Sequence, residues 1–93
     1  MTASIKQKCF DIVESHPDRC SLFTYGEKVE YFVEESEILS YLRSARFGSH
    51  FCLRYLDDSD NDYAIRVLVD ERRWIEISDF MSAFLYNLTK QKS

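Results

Sequence analysis

The residues best equipped for chemistry in this chain are its histidines, its cysteines and a run of aspartates. His16 stands four residues before Cys20, and His50 two before Cys52. Two imidazoles and two thiols form a zinc-compatible set, but structural zinc sites usually carry cysteine pairs two to four residues apart. No metal site is therefore expected. The residues read instead as a loop histidine beside a helix stop and one core cysteine in each of two strands. Asp58, Asp60 and Asp62 have the one-three-five spacing of a calcium loop. The next position calls for glycine and holds Tyr63, and the twelfth calls for glutamate and holds Val69, so calcium is not expected either.

Nucleophilic catalysis fares no better. A Cys–His pair needs a lowered thiol pKa, a bonded base and an oxyanion hole, and nothing in the chain marks these. No G-x-S-x-G elbow exists. The two glycines, Gly26 and Gly48, open no phosphate-cradling loop. Glu34 and Glu35 read as helix-start charge rather than an acid/base couple. The expectation is a non-enzyme with no catalytic residue, cofactor or metal.

Charge is more informative. The chain has 93 residues, 16 acidic and 12 basic, for a net charge of −4. Four of the five lysines (Lys6, Lys8, Lys90, Lys92) sit near the ends, so the body between them is more acidic than the total. Seven acids fall in two clusters: Glu34, Glu35 and Glu37, then Asp57, Asp58, Asp60 and Asp62. Such a body repels nucleic acid and favours a basic protein surface. Arg43, Arg46, Arg54, Arg66, Arg72 and Arg73 offer the opposing possibility, a base-stacking arginine face beside Phe23 and Tyr25. No apolar run approaches the length of a membrane span, and Met1–Cys9 lacks the apolar core of a secretory signal. With three cysteines this favours free thiols and a cytoplasmic setting.

The elements that must position these residues follow from periodicity. Ile5, Cys9, Ile12 and Val13 predict a helix over 4–15, capped by Ser4 and stopped by Pro17. Residues 20–33 read as a hairpin turning at Gly26-Glu27. That register pairs Leu22 with Tyr31. It places Cys20, Leu22, Thr24, Val29, Tyr31 and Val33 on the core face, and Phe23, Tyr25 and Phe32 on the other. A second helix over 36–46, capped by Ser36, carries Ile38, Leu39, Leu42 and Ala45, with Gly48 just past its end. Strands follow at 50–56 and 63–69, joined by the acidic link Asp57–Asp62, then a short strand at 74–77. A third helix over 79–90 has the apolar stripe Phe80, Met81, Phe84, Leu85 and Leu88.

The expected fold is α+β, one domain over 1–93. A mostly antiparallel sheet of about five strands carries three helices, in the order α-ββ-α-βββ-α. On it, Phe23, Tyr25 and Phe32 form an outward aromatic anchor, and Asp57, Asp58, Asp60 and Asp62 a steering loop. The expected role is an acidic protein-binding protein docking on a basic surface of a larger protein, in the manner of an immunity protein, antitoxin or phage anti-defence inhibitor. The alternatives are a homodimeric assembly factor or secretion-type chaperone holding a client segment, and, less favoured, RNA or single-stranded DNA binding through the arginine face.

Overall fold

Ser4 begins the first helix as its spacing requires. Its side chain accepts a hydrogen bond from the Gln7 N–H at 3.1 Å, and α1 runs over Ile5–Ser15. The structure, a computed structural model, describes residues 4–77. Within them the order is α1, β1 (Cys20–Thr24), β2 (Tyr31–Phe32), α2 (Glu35–Ser44), β3 (His50–Leu56), β4 (Asp62–Val69) and β5 (Trp74–Glu76). The helix expected at 79–90 lies outside the described residues. All four strand pairings are antiparallel, in the spatial order β2-β1-β3-β4-β5. Among the described residues, no helix is long and apolar enough to cross a membrane.

Both helices pack on the same face of this sheet. Cys9, Ile12 and Val13 of α1 and Ile38 and Leu42 of α2 are buried against Leu22, Phe51, Leu53, Ile65, Val67 and Val69. The register explains the selection: Leu22, Leu53 and Ile65 lie side by side across three strands, and Phe51 and Val67 across two. Strand side chains alternate, so every second residue enters this one layer. An aromatic relay runs through it. Phe32 meets Tyr41 at 5.8 Å between ring centroids, Tyr41 meets Phe51 at 5.5 Å, and Phe51 meets Trp74 at 5.7 Å.

Two sequence expectations need correction. The second helix starts one residue early, with Glu34 as its N-cap and no side-chain capping bond, so Ser36 does not cap it. The hairpin differs more deeply. Its register sets Leu22 opposite Phe32 and Phe23 opposite Tyr31. Thr24 donates its N–H to the Glu30 carbonyl at 3.0 Å, and its hydroxyl accepts from the Glu30 N–H at 2.9 Å. The Tyr25 N–H is taken by the His50 carbonyl of β3 at 2.8 Å, so Tyr25 cannot pair across a two-residue turn. The link is longer than the Gly26-Glu27 turn, and the register slips by one. A slip of one moves every side chain of the strand to the other face. Phe32 therefore packs against the core, while Val29, Tyr31 and Val33, expected inside, are 65%, 65% and 53% exposed. The exchange buries a ring with no polar atom and leaves the Tyr31 hydroxyl in water.

Candidate partner-binding surface

The expected anchor divides between the two faces of the sheet. Phe23 and Tyr25 remain on the face opposite the helices, in edge contact at 5.3 Å. Tyr25 also packs on His50 at 4.4 Å, and the Arg66 guanidinium lies over its ring at 4.5 Å. Phe32 is on the core side, so the three rings do not form one patch.

The carboxylates of the acidic loop are largely paired within the molecule. The Asp57 carboxylate accepts from the backbone N–H groups of Ser59 at 2.8 Å and Asn61 at 2.9 Å, and from the Asn61 side chain at 3.1 Å. These bonds favour its charged form and hold its pKa below the usual carboxylate value, the Asn61 side chain first among them. Arg19 donates to the Asp57 carbonyl at 3.0 Å and pairs with Asp60 at 2.9 Å, and Arg54 pairs with Asp62. Asp60 sits at φ +62°, a left-handed turn position that Asp tolerates. Of the four carboxylates expected to steer, only Asp58 lacks a side-chain partner among the described residues. The loop's field outside the molecule is correspondingly weaker than the sequence implies.

The His–Cys pairs cannot converge, because the sheet separates them. Cys20 shares a face with the core and donates its thiol to the His16 carbonyl at 3.4 Å, while the His16 Nδ1–H donates to the Ile12 carbonyl at 2.7 Å. Cys52 is on the opposite face beside Tyr25 and His50. No group of metal-holding side chains occurs among the described residues. Burial, assisted by Glu35, pushes the Cys20 thiol up to about 11, and burial pushes Cys9 up to about 12. Burial raises Cys52 as well. None is poised as a thiolate. On the outer face Arg66 Nε donates to His50 Nε2 at 2.9 Å, and burial and this guanidinium lower the His50 pKa. The arginines do not gather on one surface. Arg54 is tied to Asp62 and Arg66 to Tyr25 and His50, whereas Arg46, Arg72 and Arg73 stand around a separate pocket.

What the structure does assemble is an acidic, apolar sheet edge. β2 is an edge strand, and the 27–37 segment that contains it holds five glutamates against Lys28 alone. Val29, Tyr31 and Val33 stand out between these charges. On the helix side, Glu30 and Glu37 flank a groove of about 400 Å³ between β2 and α2, floored by Phe32 and Tyr41 and rimmed by the hydroxyls of Ser36 and Ser40. Burial pushes the Tyr41 phenol up, a Ser49 hydrogen bond opposes the shift, and the Glu30 charge adds to it. Sequence reasoning missed Val29, Glu30, Tyr31 and Val33 because the tight-turn register put the apolar three in the core. The signal available was their flanking: glutamates on both sides of a two-aromatic run mark an edge strand.

No protein-family model, curated protein or solved structure matches this chain.

Proposed function

We propose that this chain is a non-enzymatic protein-binding domain whose β2 edge and β2–α2 groove receive a basic segment of a larger protein. The observation that carries the reading is the joint exposure of Tyr31 on the edge strand and of Val29 and Val33 beside it, inside a segment of net charge −4. Free edge N–H and C=O groups pair with an incoming strand. Tyr31 and Val33 supply apolar anchors, and Glu30 and Glu37 take an arginine or lysine in the groove. The charge steers encounter and the anchors set the dissociation rate. An inhibitor that covers a basic working surface of its target fits this chemistry. Two copies pairing through this same edge would bring two acidic segments together, which disfavours a homodimer there.

A photo-crosslinking side chain at position 31, with the same side chain at position 59 as control, tests this in cells. One larger protein captured from position 31, and lost in Glu30→Lys/Glu37→Lys, is the expected result. Equal capture from both positions, or capture of a second copy alone, overturns the reading.

A further inference from the structure

We propose that the pocket between the start of α1, the loop after α2 and the β4–β5 turn binds a mononucleotide-class ligand, a phosphate ester carried on a planar ring. It has a volume of about 590 Å³ and lies beside β5, the sheet edge opposite β2. That size falls within the range of small-ligand pockets.

Its charge is inverted relative to the rest of the chain. Lys6, Arg46, Arg72 and Arg73 all line it, against Asp70 and Glu71. This is four cations to two carboxylates in a protein whose net charge is −4. The three ion pairs among the described residues are Lys8–Glu76, Arg19–Asp60 and Arg54–Asp62, and none uses a pocket cation. Their placement comes from three separate elements. The Asp70 N–H donates to the Arg73 carbonyl at 2.8 Å, closing the turn that presents Arg72 and Arg73. The Arg46 N–H donates to Ser49 Oγ at 3.1 Å, which holds the loop after α2. Lys6 Nζ lies 5.7 Å from the Trp74 ring centroid. The first turn of α1, which includes Lys6, carries no acidic side chain to offset these charges.

Three guanidinium forks offer more N–H donors than one carboxylate can accept, and a phosphate supplies further acceptor oxygens and a second negative charge. A planar ring is called for by Phe47, which is 67% exposed at this pocket although it is large and apolar. Aromatic rings so placed stack on nucleobases. A small dianion is favoured over a nucleic-acid strand, since the acidic remainder of the molecule repels a long polyanion.

The probe is 5′-AMP, titrated into the full chain and read by fluorescence of Trp74, the single tryptophan, which lines the pocket. Saturable quenching is expected. It weakens about tenfold or more in Arg72→Gln/Arg73→Gln, and again in Arg46→Gln on a different element. Inorganic phosphate competes, and adenosine alone binds much more weakly. Far-UV circular dichroism confirms that the variants keep the fold. No saturation at millimolar AMP, equal binding in both variants, or an oligothymidine that binds more tightly than AMP with a steep salt slope overturns the proposal. The pocket and the β2 edge share no residues, so either reading can fail alone.

Discussion

Replacing Phe32 and Tyr31 one at a time decides which face of β2 is free. A fully buried Phe→Ala change costs about 3–5 kcal/mol, through lost burial and the cavity left behind. Phe32 is half-buried, and part of its value is the pair with Tyr41 at 5.8 Å, a contact worth about 0.5–1.5 kcal/mol. Phe32→Ala should therefore cost about 2 kcal/mol. For a domain of this size that lowers Tm by about 8–16 °C. Tyr31 is 65% exposed, so Tyr31→Ala should stay within about 0.5 kcal/mol. Urea unfolding followed by Trp74 fluorescence measures both, and an unchanged denaturant slope certifies that only stability has moved. The Gly26-Glu27 register inverts the order, because it buries Tyr31 and exposes Phe32. A Tyr31→Ala loss equal to or larger than that of Phe32→Ala refutes the register, and with it the exposure of Tyr31 on the edge on which the proposed function rests.

Four further outcomes follow from the geometry. The His50 pKa lies below its ordinary 6.5 because of burial and Arg66. Its contribution is complete above pH 6.5 and is lost as pH falls through the folded value, since the unfolded state then binds the extra proton; urea midpoints at pH 7.5 and 5.5 should differ less in His50→Gln than in the parent. With Cys9 pushed up to about 12 and Cys20 to about 11, a thiol reagent at pH 8 should label these two cysteines orders of magnitude more slowly in the native chain than in the guanidinium-unfolded chain, read by mass spectrometry of the digest, and labelling at equal rates would contradict their placement. Asp57→Ala should lower Tm by several degrees by removing the acceptor for Ser59 and Asn61, with Asp58→Ala neutral, and millimolar calcium should leave Tm unchanged because the neighbouring carboxylates are already engaged. Gly48→Ala should cost about 1 kcal/mol by thermal denaturation although nothing lies within 4 Å of the added methyl, because φ is +91° there.

The α+β class, the seven elements over 4–77 and most of the core were legible in the sequence. Their signals are local: Ile5, Cys9, Ile12 and Val13 recur at helical spacing, and Phe51, Leu53, Ile65 and Val67 alternate along strands whose inward face had to be apolar. It also marked Ser4 as a cap and the Asp57–Asp62 run as a hairpin tip. Which rings meet water depends on contacts between elements. In β2 the choice between Tyr31 and Phe32 is a one-residue matter, and a turn motif at Gly26 is a weak constraint against Tyr25 bonding to β3 and Phe32 packing on Tyr41. The fate of the charges was equally nonlocal. Arg19 reaches Asp60 across 41 positions of chain and silences part of the acidic loop, whereas Lys6, Arg46, Arg72 and Arg73 are brought to one pocket by three separate segments. Periodicity reports which side of its own element a residue occupies. Pairing between elements is set by long-range packing, and the candidate sites of this protein are built from such pairings.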